Sequence, residues 1–342
     1  MRSLVAPRYC QPAGYEVIDL PTPTPDDLKP NDVLIRVHAA AIQTGDTQAA
    51  AGVSKLLVST KFPLRLGMSG SGIVIAVGSG VKSLRVGDAV CGLAFKHGQI
   101  FEEAAALTGS VLTAYQCVKR YFELTGQPPG TSTLEGKTVF IPGALSAAGS
   151  VSTQVVKNVY GAKTVVSTVS TPKMGLVEKY LPDVVDELVN YETQNIVQEV
   201  GRGTVDFVLN TQWDLVGTFP LANPQTGAVV SIASIPSPRT VRSMIGDSPA
   251  PILVRWFILA ITTLAHMWYN WMLRGTKVKQ DFVSGNPGNR EDLERSGEWV
   301  AAGKIKAVMT VVDIEDIEAV RKACTMVATG KGGIGKLVIR LA

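Results

Sequence analysis

The sequence predicts an α/β protein in two parts: a β-rich barrel or sandwich, then a doubly wound parallel sheet. Three observations carry that expectation. Residues 1 to about 95 hold short alternating strands separated by turn residues. Residues 137–173 read strand, glycine turn, helix, strand. Apolar, β-branched runs at 186–191, 205–211 and 227–232 then continue the same pattern.

In the first part, residues 15–20 alternate, and Pro21, Pro23 and Pro25 then break the chain. Residues 32–39 and 72–78 are strands, with a short helical stretch at 45–51 between them. Gly78-Ser79-Gly80 and Val86-Gly87-Asp88 are turn signals. Residues 101–122 form a helix whose first turn carries Glu102 and Glu103, acids that suit the positive end of the helix dipole. Two further helices are expected at 289–302 and 313–328, and a last strand at 336–341.

The second part is organised around residues 137–173. Thr138 to Ile141 is a buried parallel strand by composition. Gly143, Ser146 and Gly149 make the turn, and Ala148, Val151, Val155 and Val159 share one face of the helix that follows. Gly161 closes that helix, and 164–168 is the next strand. Such a unit brings backbone N–H groups and a helix N-terminus up to a pyrophosphate. The spacing is Gly143-x-x-Ser146-x-x-Gly149 rather than G-x-G-x-x-G, so an ordinary βα turn is the bland alternative. A site for NAD wants an acid at the end of the second strand. Here Ser170-Thr171-Pro172-Lys173 stands there, two hydroxyls and an ammonium that suit a ribose 2′-phosphate and hence NADP(H). A solvated surface lysine is the alternative for Lys173.

Composition excludes several classes. Of 342 residues, 46% are hydrophobic and 18% charged, which is globular and not disordered. A net charge of +4 without a basic run gives no support for nucleic-acid binding. Cys10, Cys91, Cys117 and Cys324 are too scattered for a disulfide framework or a C-x-x-C metal site. No apolar leader is visible at the start, and a cytoplasmic location is expected. Residues 256–273 carry no formal charge. They fall just short of the ~20 residues a bilayer span needs, and are expected to form a buried or dimer-facing helix with no membrane contact.

The stretches VLIRVHAAAIQTGDTQ, FPLRLGMSGSGIVIAVGSGVKSLRVGDAVCGL, FEEAAALTGSVLTAY and the terminal GKLVI resemble the medium-chain dehydrogenase/reductase superfamily. Within it the chain is similar to the zinc-independent quinone-oxidoreductase and enoyl-reductase branch, and to fungal dehydrogenases of secondary-metabolite pathways. The resemblance implies a GroES-like β-barrel catalytic domain over 1–118, completed by 299–342. A Rossmann domain over 119–298 binds NADP(H). It also implies hydride transfer to an activated C=C, quinone or carbonyl of a small molecule, the chain acting alone or as a trans-acting enoyl reductase beside a polyketide synthase. Zinc members place Cys, and then His-Glu, at the positions of Gln43, Met68 and Ser69, so no metal is expected. Gln43 and Thr113 are then the candidate donors that polarise a carbonyl. By the same resemblance Tyr191 packs on the adenosine ribose, and Thr211 and Ser231 lie at the cofactor edge. Relatives carry a strand and loop where this chain has only Ala94 to Ile100 before Phe101. That shortening predicts an unpaired barrel edge, and with it a cofactor-binding protein of impaired turnover as the rival reading.

Overall fold

The computed structural model describes residues 1–53, 55, 59–91, 101–128, 130–245, 250–283 and 290–341. The shortened connection at 94–100 lies outside the described residues. The chain divides into two compact units, Met1–Gly109 with Leu293–Ala301 and Ala307–Ala342, and Ser110–Asp292 with Ala302–Lys306. The helix Phe101–Thr125 carries the chain from the first into the second.

The first unit holds two sheets. One orders Glu16–Asp19, Arg2–Ala6 and Leu64–Arg65, all antiparallel. The other orders Met309–Asp313, Lys336–Arg340, Val33–Ile42, Ser69–Val77 and Ala89–Cys91. Register shifts after Leu34 and Val37 bend the long central pair, as bulges do at barrel corners. Leu4, Tyr15, Ile42, Val320, Cys324 and Ile339 fill the core beneath. Met309–Asp313 and Lys336–Arg340 run parallel, joined by the helix Ile317–Thr329. Asp316 caps that helix by accepting from the Ala319 N–H at 3.0 Å, and Gly330, at φ +67°, ends it. The sequence places the start of this helix at 313. The Asp316 cap sets it later, and Asp313 instead ends the strand Met309–Asp313, with a turn between the two.

The second unit is a six-stranded parallel sheet ordered Lys279–Phe282, Ala228–Ser231, Phe207–Asn210, Thr138–Ile141, Thr164–Val169, Glu187–Asn190. Chain order runs outward one way from Thr138–Ile141, then resumes on its other side at Phe207–Asn210. That reversal is the switch point where doubly wound sheets bind ligands. At the amino edge Asp206 accepts from the Thr138 N–H at 3.0 Å, and Asp186 from the Val165 N–H at 2.7 Å. The acids thus close one edge of the sheet and leave the carboxyl edge to the glycine turn.

Residues 256–272 lie within the helix Ile252–Met272, with Leu273 at its end, and of the two expected roles, buried or dimer-facing, burial within the chain itself fails. Only about a tenth of its most apolar stretch is buried (11%). Thr262, His266 and Tyr269 face inward while Trp256, Phe257, Leu264, Trp268 and Trp271 are exposed.

Candidate functional site

The turn after Thr138–Ile141 is held by the neighbouring strand. The Gly143 N–H donates to Thr168 Oγ1 at 3.0 Å, and the Ala144 N–H to the Thr168 carbonyl at 2.9 Å. Gly143 sits at φ +79°, a conformation L side chains rarely adopt. The Ser146 hydroxyl accepts from the Gly149 N–H at 2.9 Å. A Cβ on Gly149 would lie 2.1 Å from the Gly143 carbonyl oxygen, so the helix Gly149–Gln154 approaches the strand end as closely as backbone allows. The N-cap residue Ala148 offers no side-chain cap, and Ser146 serves the first N–H in its place. The helix continues through a wider turn, Val155–Val159, and ends before Gly161 as expected.

At the end of Thr164–Val169 the chain turns through Thr171–Leu176. Among the described residues the half-buried Ser170 hydroxyl has no hydrogen-bond partner. Lys173 is half-buried, and that burial lowers its ammonium pKa from the ordinary lysine value. The Thr171 hydroxyl, by contrast, is taken by Asn190, whose Nδ2 donates to it at 3.0 Å. Glu192, in the turn after the next strand, accepts from the Thr171 N–H at 2.9 Å. Hydrogen bonds from the Thr171 hydroxyl and N–H hold its carboxyl below the usual glutamate range. Tyr191, beside it, is exposed.

Across the switch point, the Thr211 hydroxyl donates to the Pro142 carbonyl at 2.5 Å. The Gln212 amide nitrogen lies 2.8 Å from where a Gly143 Cβ would be. Ser231 is fully buried, accepting from Asn210 Nδ2 at 3.0 Å and the Ala233 N–H at 3.2 Å. All nine candidate cofactor residues therefore fall at the carboxyl ends of neighbouring strands. Gly143 and Gly149 shape the turn, Ser170 and Lys173 are half-buried beyond the second strand, and Tyr191 is exposed. Ser146, Thr171, Thr211 and Ser231 spend their hydroxyls on the chain and act as props. The sequence reading missed Thr168, Asn190, Glu192 and Gln212. Each lies within two residues of the carboxyl end of a strand of the parallel sheet, the one signal that places them on this edge.

In the first unit, Gln43 Nε2 donates to Ser69 Oγ at 2.8 Å, and its amide packs against Gly109. An amide carries a second N–H to offer. Asp46 is buried, and its carboxylate accepts from the N–H groups of Gln43 (2.8 Å), Gly67 (3.0 Å) and Met68 (3.5 Å). Desolvation raises its pKa above the ordinary aspartate value, against those hydrogen bonds and the nearby Lys336. Gln43, Ser69 and an exposed Met68 offer no thiolate or imidazole, and Asp46 is committed to backbone donors. This donor set does not fit tetrahedral zinc. Among the described residues no cluster of three His, Cys, Asp or Glu could hold a metal. Thr113 is half-buried in the helix Phe101–Thr125 and belongs to the second unit.

A two-sheet unit closed by its own C-terminal strand, and a six-stranded sheet with a glycine turn at its switch point, define a nucleotide-dependent dehydrogenase fold. The comparisons agree. The alcohol dehydrogenase GroES-like domain model matches residues 29–153, and the zinc-binding dehydrogenase model matches residues 185–339. The chain is 29% identical over 196 residues to 2-methylene-furan-3-one reductase of Solanum lycopersicum, covering 49% of this chain and 47% of that one. It is 28% identical over 216 residues to the chloroplastic NADPH-dependent alkenal/one oxidoreductase of Arabidopsis thaliana, covering 55% and 52%. The chain thus spans about half the length of these two curated relatives. The fold superposes on Escherichia coli quinone oxidoreductase complexed with NADPH at a TM-score of 0.72, with 18% identity and all of both chains covered. The chain belongs to the medium-chain dehydrogenase/reductase superfamily.

Proposed function

We propose that this chain is a zinc-independent, NADP(H)-dependent oxidoreductase of the quinone-oxidoreductase-like branch. Its substrate is an activated C=C, a quinone or a carbonyl of a small molecule. The observation that carries this reading is the carboxyl edge of the parallel sheet. A turn whose Gly149 has no room for a Cβ stands beside the second strand, which runs on past Val169 into Ser170, Thr171 and Lys173, with no acid among them. Bound there, NADPH supplies the hydride. Gly143 and Gly149 let backbone approach the pyrophosphate, and Ser170 and Lys173 hold the 2′-phosphate. Gln43 retains an N–H of the kind that suits a carbonyl or quinone oxygen. The relatives' names, an alkenal/one oxidoreductase and a furanone reductase, support an activated alkene as substrate class.

The test is NADPH oxidation by the purified protein against enones, quinones and aldehydes, with and without a chelator. Turnover on at least one class, unchanged by the chelator, is expected. Tight NADPH binding with no turnover on any class would favour a binding protein instead, and loss of turnover with the chelator would restore zinc.

Glu192 supplies a second test. Its carboxylate occupies the Thr171 N–H and places negative charge where the 2′-phosphate is read to lie. Glu192→Gln is therefore expected to tighten NADPH several-fold (about one charged contact) while leaving NADH nearly unchanged. An unchanged NADPH/NADH ratio would show that Glu192 stands clear of the phosphate.

A further inference from the structure

The helix Ile252–Met272 is amphipathic the wrong way round for a soluble surface. Its inward stripe is the polar one. His266 Nε2 donates to the Ile235 carbonyl at 3.0 Å, and its Nδ1 accepts from the Gln280 amide at 3.1 Å. Thr262 and Tyr269 lie on the same buried stripe, with the Tyr269 ring edge-on to Phe219. The outward stripe is Leu253, Trp256, Phe257, Leu264, Trp268 and Trp271, each about half or more exposed (49–78%). Apolar surface left in water on this scale marks an interface.

The fold decides against a transmembrane span. The helix is roughly 31 Å long, enough to cross a hydrocarbon core of about 30 Å. Yet it connects two adjacent strands of one sheet. Ala228–Ser231 and Lys279–Phe282 pair in register, Ala228 with Lys279 through Ser231 with Phe282. Strands about 5 Å apart cannot stand on opposite faces of a bilayer. The helix can only lie along a surface.

Charge selects what covers it. Between Asp214 and Asp281 the sequence carries six cations, Arg239, Arg242, Arg255, Arg274, Lys277 and Lys279, and one acid, Asp247. Arg274 and Lys277 follow the exposed stripe at its C-terminal end and are exposed, whereas Arg255 is half-buried and its Nε donates to the Ala250 carbonyl at 2.9 Å. A second copy meeting this face across a two-fold axis would bring no acid from 248 to 280 to pair Arg274 and Lys277. An anionic phospholipid surface answers both features, since headgroups neutralise Arg274 and Lys277 and tryptophans favour the headgroup boundary. We propose that the exposed face of Ile252–Met272 docks the protein peripherally on an anionic lipid surface, in place of the buried or dimer-facing role the sequence suggested.

The test is flotation of the purified full chain with vesicles of phosphatidylcholine alone and of phosphatidylcholine with phosphatidylserine, at low and high salt. Association with the anionic vesicles is expected, weaker with phosphatidylcholine alone and falling as salt rises. Trp268→Glu with Trp271→Glu should abolish it. Both side chains are exposed, so melting should not change. Arg274→Ala with Lys277→Ala should weaken it roughly twenty-five-fold, about fivefold per cation. No association with the anionic vesicles overturns the proposal. So does a dimer in solution that the same tryptophan variants convert to monomer, because the face then belongs to a second copy.

Discussion

Gly149→Ala is expected to weaken dinucleotide binding roughly ten- to a hundredfold and to cost about 1–3 kcal/mol of stability. Even the smallest side chain has no room. Its Cβ would lie 2.1 Å from the Gly143 carbonyl oxygen and 2.8 Å from the Ser146 hydroxyl, and the first is backbone that a rotamer change cannot move. The helix must then back away from the strand. It carries its N-terminus off the place of the pyrophosphate and breaks the bond from the Gly149 N–H to Ser146. Gly130→Ala is the control. A Cβ there meets nothing within 4 Å, so melting temperature and affinity should both stay put. A Gly149→Ala protein with unaltered NADPH affinity would place the cofactor elsewhere.

Asp46→Ala carries the largest stability effect, a loss of about 3–5 kcal/mol expected in denaturant titrations. The buried carboxylate serves the N–H of Gln43 at the start of the helix Thr44–Ala50, and the N–H groups of Gly67 and Met68. It is also the countercharge named for Lys336, which is buried at the start of the strand Lys336–Arg340. Removing it orphans those donors and leaves a buried ammonium without an offset. Burial pushes Lys336 down to about 8 from 10.5, with Asp46 opposing. Below pH 8 the folded protein therefore carries a desolvated charge. Between about 8 and 10.5 the unfolded chain binds more protons than the folded one, so this group's contribution to stability rises with pH. That separation corresponds to roughly 3 kcal/mol. The buried thiols of Cys117 and Cys324 act oppositely above their ordinary value of 9.0, because burial raises both. Comparison with Lys336→Met isolates the lysine: the wild type should gain on the variant as pH rises from 8 to 10. A constant difference across that range would mean that Lys336 is already solvated in the folded state.

The second unit was legible in the sequence because its strands are buried on both faces. Such strands leave unbroken β-branched runs like Thr138–Ile141 and Thr164–Val169, and the turn between them needs glycine for reasons readable in one dimension. Strand order was not legible, and it brings Glu192 to Thr171. The two lie 21 residues apart and meet only because Thr164–Val169 pairs with Glu187–Asn190. In the first unit Met309–Asp313 escaped notice because five half-buried or exposed residues carry too little alternation. The helix Ile252–Met272 was legible as apolar and helical. Its exposure was not, since hydropathy records what a stripe is made of and not which side the fold turns outward.

The account turns on the 2′-phosphate, and a direct titration of NADPH and NADH against the same protein reads it. NADPH should bind more tightly, and Lys173→Ala should erode the preference about tenfold, the worth of one charge-assisted contact, while changing NADH little. Equal affinities for the two cofactors in the unaltered protein, or a preference for NADH, would contradict the reading of Ser170 and Lys173 as the holders of a 2′-phosphate.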